Sequence, residues 1–147
     1  MENSFVVKIV ADDDRFIPRY ESGGAAGADL RYNGKTIILG PLERNLFDVG
    51  FTVALPPGVE MQIRPRSGLS LKQGVTVLNA PGTIDSDYRG RVGVILVNLS
   101  NDHVTIKDGD RIAQAVINVV GKGSFDKVES LDETDRGTGG FGSTGEK

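Results

Sequence analysis

Near its C-terminus the chain carries Arg136-Gly137-Thr138-Gly139-Gly140-Phe141-Gly142-Ser143-Thr144-Gly145, residue types suited to holding phosphate. Closely spaced glycines let backbone N–H groups converge on phosphate oxygens, and Ser143 and Thr144 add hydroxyl donors. Arg136 brings a planar fork for a terminal phosphate, and Phe141 a ring that can stack on a base. Residues 137–142 satisfy G-x-G-x-x-G and, with Ser143-Thr144, approach the P-loop pattern, Ser143 standing where lysine belongs. Both patterns need a preceding strand and a following helix, which the residues after Thr144 do not supply. The motif names therefore do not apply, although the physics of a glycine-rich anion cradle does. An unstructured Gly/Ser tail is the other reading of these residues taken alone.

What else could do chemistry is narrowed by composition. There is no cysteine, and His103 is the one histidine of 147 residues. That excludes disulfides, thiolate nucleophiles, Cys/His zinc sites and any Ser-His-Asp triad not using His103. His103, in Ser-Asn-Asp-His, reads as an exposed turn residue without a role. Glycine accounts for 20 residues without a G-X-Y period, so it serves turns, tight loops or backbone contact with a ligand, not collagen. The net charge of −3 argues against a general nucleic-acid surface.

The elements that must position such groups are strands. Val59-Glu60-Met61-Gln62-Ile63-Arg64 alternates as a half-buried strand should. Residues 112–119 read similarly, with Gln114 and Asn118 on one face. Residues 92–97 are almost continuously apolar, which predicts a strand covered on both faces. Further strands are predicted at 5–10, 36–39, 46–55, 75–78 and 104–106. Turn signals separate them, among them Asn33-Gly34, Gly40-Pro41, Pro56-Pro57-Gly58 and Asp108-Gly109. Only residues 67–73 suit a helix, of two turns at most, with Ser67 as its cap. The expected fold is all-β: a jelly roll or distorted β-barrel of many short strands, with a mobile C-terminal tail. Residues 1–121 form the expected β domain; residues 122–147 form an arm with a final short strand at 124–128 ahead of the glycine-rich segment. The longest apolar runs are too short to span a membrane, and the N-terminal residues lack a signal-peptide pattern. A cytoplasmic protein with no membrane partner is the expectation.

Four further segments occur in order ahead of the tail. They are Ala26-Gly27-Ala28-Asp29-Leu30, Arg66-Ser67-Gly68-Leu69-Ser70, the stretch from Asn79 through Asp85 to Gly90, and Gly109-Asp110-Arg111-Ile112-Ala113-Gln114. With the tail, this set resembles the five motifs of the homotrimeric dUTPase family, and the resemblance covers essentially the whole chain. It implies a jelly-roll trimer with three active sites, each built from all three subunits. One subunit would supply a β-hairpin pocket for uracil and deoxyribose, a second the phosphate-binding groups, and a third its tail as a lid. The implied reaction splits dUTP into dUMP and pyrophosphate with Mg²⁺.

Residue by residue, the resemblance makes Asp85 the catalytic carboxylate, orienting and deprotonating the water that attacks the α-phosphorus. Asn79 matches the uracil-contacting asparagine, whose amide both donates and accepts, and Thr83 and Ile84 complete the same hairpin. Tyr88 would lie beneath the deoxyribose, where a ribose 2′-hydroxyl would clash. Arg66, Ser67 and Gly68 match the phosphate-binding second motif, as Gln114 does the phosphate-contacting glutamine. In the tail, Arg136, Phe141, Gly142, Ser143 and Thr144 match the lid. Asp29 is implied to act near a hydrated metal or in positioning its neighbours; Mg²⁺ would otherwise bind through substrate phosphates and keep several waters. By residue type alone, Asp85 and Asp87 also suit turns, Asn79 an Asn-x-Pro turn, and Tyr88 ordinary packing. Asp87 and Arg111 are expected to be structural, Arg111 as an ion-pair partner, and the run Asp12-Asp13-Asp14 a solvated loop.

Two residues depart from the family pattern. Arg91 stands where an acidic residue is frequent, and Tyr32 where a small one is common; the expected consequence falls on local subunit contacts. Two other functions stay open. A dCTP deaminase-type relative would release ammonia from dCTP, and a non-catalytic nucleotide-binding trimer would bind without releasing pyrophosphate.

Overall fold

Alternation of apolar and polar side chains dictates most of the strands. In the computed structural model, which describes residues 4–145, Val59, Met61 and Ile63 are buried while Glu60 and Gln62 are half-covered. The strands are β1 (Lys8–Ala11), β2 (Ala28–Arg31), β3 (Ile37–Leu39), β4 (Arg44–Asp48), β5 (Phe51–Ala54), β6 (Val59–Arg64), β7 (Val75–Val77), β8 (Gly82–Ile84), β9 (Gly93–Asn98), β10 (Val104–Ile106) and β11 (Arg111–Val119). One helix, α1 (Ser67–Gln73), and a single 3-10 turn at Asp14–Phe16 complete the list of elements.

All pairings among the named strands are antiparallel. The larger sheets run β2-β11-β6-β8 and β4-β9-β7, and the pairs β1-β5 and β10-β3 flank them. None of these sheets closes on itself, so the fold is the jelly-roll form of the expectation and not a barrel. Their apolar faces share one core that includes Leu30, Phe47, Phe51, Ile63, Leu96 and Ile112. Among the described residues, no helix is long and apolar enough to cross a membrane.

β2 and β8 are strands that the sequence pattern does not predict, and four further local features differ from it. The run 46–55 is two strands, because Gly50 (φ 84°) turns the chain, its N–H donating to the Asp48 carboxylate at 2.6 Å. A Cβ at Gly50 would press into the Phe16 ring. Ser67 does not cap α1: the capping position is Arg66, in extended backbone, whose side chain turns aside to Asp29. No strand forms at 124–128. A strand needs a partner ladder, and the last backbone bond tying the arm to the body is Val120 N–H to the Gly58 carbonyl (2.9 Å). The Asp12–Asp14 run is exposed but engaged, Asp12 pairing with Arg91 and Asp13 accepting the Arg15 N–H at 2.8 Å to cap the 3-10 turn.

The two departures noted in the sequence act inside the chain. Tyr32 is 5% exposed and meets Phe47 edge-on at 5.0 Å, while its hydroxyl donates to the Lys35 carbonyl at 2.6 Å. Burial pushes its phenol above the ordinary range. The fully buried Asn98 is also satisfied within the chain. Its Nδ2 donates to the Leu39 and Asp102 carbonyls, and its Oδ1 accepts from the Ser100 N–H and hydroxyl. That ring of bonds locks the turn after β9, since an unpaired amide there would cost about 1–3 kcal/mol.

Candidate active site

A register shift creates the first half of the site. β11 pairs with β2 through a bulge between Arg111 and Ala113, so Ile112 and Ala113 both enter the core. The strand then resumes its alternation and sets Gln114 opposite Asp29 of β2 on one flank and Arg64 of β6 on the other. Two residues beyond β6, Arg66 donates its Nε to Asp29 at 3.2 Å and Nη1 to the Arg111 carbonyl at 3.3 Å. Arg111 Nη1 lies 3.5 Å from the other Asp29 oxygen. Asp29 is thus the hub that orients two arginines, its side chain 13% exposed and its charge offset by theirs.

These groups border a cleft of about 510 Å³ whose lining includes Arg31, Arg66, Gly68, Lys72 and Arg111. Four cationic side chains against one acid, Asp110, around one hollow, on a chain of net charge −3, concentrate positive potential where a polyanion would sit. Ser67 is exposed at the start of α1. Gln114 reaches the same neighbourhood, its Nε2 donating to the Pro65 carbonyl at 2.9 Å.

Gly27 makes room for that glutamine: a Cβ there would collide with Gln114 Oε1 and lie 3.1 Å from Gln114 Cβ. Gly27→Ala should therefore push the carboxamide off Pro65. The expected result is a raised KM for a phosphate-bearing substrate and a stability loss of about 1 kcal/mol, one net hydrogen bond. Kinetics and thermal melting of the variant check it; an unchanged KM would show that Gln114 placement is immaterial.

The second half is the β7–β8 connection with the turn after β8; the two strands lie in different sheets, β7 on β9 and β8 on β6, so the expected hairpin is not a paired ladder between them. Val77 and Leu78 lead into Asn79, and Gly82–Ile84 then pairs with β6. Asn79, Gly82, Thr83 and Ile84 line a narrow slot of about 50 Å³ against Ile63, Val77 and the start of β9. Asp85 follows directly, exposed, with its carbonyl accepting the Tyr88 N–H at 3.1 Å in a tight turn. Tyr88 is 43% exposed and its hydroxyl donates to the Arg91 carbonyl at 2.8 Å. Gly90 leaves space for that ring, because a Cβ there would strike the Tyr88 hydroxyl.

The two halves lie apart in one chain. Met61 pairs with Ile84 and Ile63 with Gly82, so Asp85 falls level with Glu60. Arg66 is six residues further along extended backbone, which at ~3.3 Å per residue is about 20 Å away. The two anhydride links between an α- and a γ-phosphate span far less.

The arm forms the third part and touches neither half. Arg136, Phe141, Gly142, Ser143 and Thr144 are all exposed. Their bonds are local: Arg136 Nε donates to the Gly139 carbonyl at 2.8 Å and Ser143 N–H to the Gly140 carbonyl at 3.1 Å. Phe141 takes a positive φ of 52° in this series of turns and stands fully in solvent.

Three site residues escape sequence reasoning. Arg31 lines the cleft because it lies two residues after Asp29, on the same face of β2, and its Nη1 donates to the Gly109 carbonyl at 2.9 Å. Lys72 joins through helix spacing, four residues after Gly68 and hence one turn on, a signal present in the sequence. Arg91 is the third and is taken up below.

Fold and clefts define the class: an antiparallel jelly-roll protein with a basic anion cleft and a separate narrow slot beside Asn79 and Thr83. The chain belongs to the dUTPase family, whose model matches residues 13–145. It is 51% identical over 140 residues to the deoxyuridine 5'-triphosphate nucleotidohydrolase of Fusobacterium nucleatum, covering 95% of this chain and 96% of that one. The enzyme of the same name from Caulobacter vibrioides is 56% identical over 132 residues, 88% of this chain and 85% of that protein. Among solved structures, a Staphylococcus bacteriophage 80alpha dUTPase with dUpNHpp superposes with a TM-score of 0.84 at 24% identity, covering 95% of this chain and 98% of that one. A dUTPase variant of phage phi11 of S. aureus, described as coordinating a structural Mg(II) ion, gives 0.77 at 21% identity, covering 87% of this chain and 99% of that one. At these identities the solved structures speak for the fold.

Proposed function

We propose that the chain is a dUTP diphosphatase acting as a homotrimer, each site assembled from the hairpin of one subunit, the basic cleft of a second and the arm of a third. The observation that carries this reading is the register of β8 on β6, which sets Asp85 level with Glu60 and leaves Arg66 six residues, about 20 Å of extended backbone, further along. Backbone positions that far apart favour a site in which a second copy brings its cleft to the first copy's Asp85. The arm, without contacts to its own body, has length to reach a third.

In this assembly Asn79 and the hairpin backbone read the uracil edge, with Thr83 and Ile84 shaping the slot, and Tyr88 packs under the deoxyribose. Arg66, Ser67, Gly68 and Gln114 bind the phosphate chain. Asp85 accepts a proton from water as the water oxygen bonds to the α-phosphorus and the bridging oxygen leaves with pyrophosphate. Arg136, Ser143, Thr144 and the Gly142 backbone close over the phosphates, and Phe141 covers the base.

The metal fits as a passenger on the substrate. Among the described residues no cluster of three His, Cys, Asp or Glu side chains gathers, and both Asp29 oxygens face arginines. Such a donor set suits Mg²⁺ carried on phosphate oxygens with its own waters, where it neutralises phosphate charge. Asp29 serves by positioning Arg66 and Arg111.

Pyrophosphate release from dUTP, dCTP, dTTP and UTP, measured in parallel with and without Mg²⁺, tests the proposal. The expected result is release from dUTP far above the other three and dependent on Mg²⁺. Ammonia from dCTP would establish the deaminase reading instead, and tight dUTP binding without release the non-catalytic one.

A further inference from the structure

The described side chains include a guanidinium bound by two carboxylates from separate elements at the root of the hairpin. Arg91 Nη1 and Nη2 donate to the two Asp12 oxygens at 2.8 and 2.6 Å, and Nε and Nη2 donate to the two Asp48 oxygens at 3.0 and 2.9 Å. Both acids are themselves held. Asn33 Nδ2 donates to Asp12 at 2.7 Å, the Asp12 N–H donates to the Gly50 carbonyl at 2.8 Å, and the Gly50 N–H donates to Asp48 at 2.6 Å. The arginine's hydrogen bonds hold the Asp12 carboxyl below the usual carboxylate range.

The backbone of Arg91 faces the other way, and its carbonyl accepts the Tyr88 hydroxyl at 2.8 Å. The next residue is fixed as well, Val92 N–H donating to the Phe51 carbonyl at 3.0 Å and its own carbonyl accepting the Val49 N–H at 3.2 Å. Tyr88 itself is half in solvent, outside the core, on a turn. The position of its ring therefore depends on the carbonyl to which its hydroxyl is tethered.

From this geometry we propose that Arg91 is the positioning residue for Tyr88: the Asp12–Arg91–Asp48 clamp fixes the acceptor that holds the ring, and through it the discrimination of deoxyribose from ribose. This rests on the reading of Tyr88 as the residue beneath the sugar. An isolated exposed ion pair contributes little, but here one planar fork spans two anchored carboxylates, so its loss removes the restraint on the Arg91 side of a peptide whose Val92 side stays bonded to β5. Discrimination by steric exclusion is sensitive to such freedom, because a ring that can retreat no longer rejects the extra hydroxyl.

The test compares kcat/KM for dUTP and UTP in the full-length protein with Mg²⁺, for Arg91→Gln, Tyr88→Phe, the double variant and Tyr88→Ala. Arg91→Gln is expected to narrow the dUTP preference about tenfold, mainly through a lower KM for UTP and a higher KM for dUTP, with kcat for dUTP moving less than either. Tyr88→Phe, which removes only the tethering hydroxyl, should narrow it to a similar degree. The double variant should go no further than either single one, since both break one connection. Arg91→Lys, which keeps the charge but engages the carboxylates less completely, should fall between Arg91→Gln and the parent; it takes the place of Arg91→Gln should thermal melting show that variant unfolded.

An unchanged preference in Arg91→Gln, or additive effects in the double variant, overturns the clamp. Should Tyr88→Ala narrow the preference while the Arg91 variants do not, the clamp alone fails. Should Tyr88→Ala leave it unchanged, the sugar-facing role of Tyr88 fails and the clamp's function with it.

Discussion

Asp85→Asn is expected to bind dUTP as the parent does and to turn it over about 10²–10⁴-fold more slowly, the range over which a positioned general base acts. The substitution is close to isosteric, so the exposed turn in which the Asp85 carbonyl accepts the Tyr88 N–H should persist. The amide lacks the basicity to take a proton from attacking water, while on the proposed reading base, sugar and phosphate contacts lie on other residues. The effect should therefore appear in kcat with KM and thermal melting little changed. Burst-free pyrophosphate assays together with equilibrium binding of a non-hydrolysable analogue separate the two. Turnover at the parent rate would remove Asp85 from the chemistry and leave the hairpin as a binding element only.

Deleting residues 136–147 is expected to leave melting and oligomeric state unchanged while kcat/KM for dUTP falls about a hundredfold or more. Fold and activity should separate because the arm contributes nothing to the core: residues 121–138 are exposed, and Phe141 stands fully in solvent. On the proposed reading, what is lost is Arg136, several backbone N–H donors and a cover over the phosphates. Removing a single preorganised donor from a charged transition state already costs about 10²–10³-fold. Size-exclusion chromatography and steady-state kinetics of the truncated chain decide the matter. Unchanged kinetics would reduce the segment to a bystander.

How far the sequence discloses the molecule can be followed element by element. β6 is legible because Val59, Met61 and Ile63 alternate with polar residues and nothing interrupts them. The division of 46–55 at Gly50 is not, since it depends on the Phe16 ring arriving from elsewhere in the chain. β2 hides for a different reason: Ala28-Asp29-Leu30-Arg31 is short and follows a glycine-rich loop, and only pairing to β11 makes it a strand. The arm misleads, because Phe125 and Val128 suit a strand that has no ladder to join within the chain.

For the site, residue types and order are legible, whereas the partners that hold them are not. Asp29 reads as an acid near a metal or a positioner of its neighbours; which neighbours, Arg66 and Arg111, only the folded chain discloses. Arg91 reads as a departure touching subunit contacts; its carboxylates lie 79 and 43 residues away in sequence, and only the pairings of β1 with β5 and of β4 with β9 bring them together. Side chains that would touch substrate are recorded by motif, and those that steady them by topology.

The gap between Asp85 and Arg66 has a consequence for how the activity behaves in solution. On the shared-site reading, a lone chain owns every reactive group and no reaction centre, so specific activity becomes a function of dilution. Below the concentration at which copies assemble, catalysis fades by mass action although each chain remains folded. The same gap allows two dead chains, one lacking Asp85 and one lacking Arg66, to restore a working centre between them when they mix.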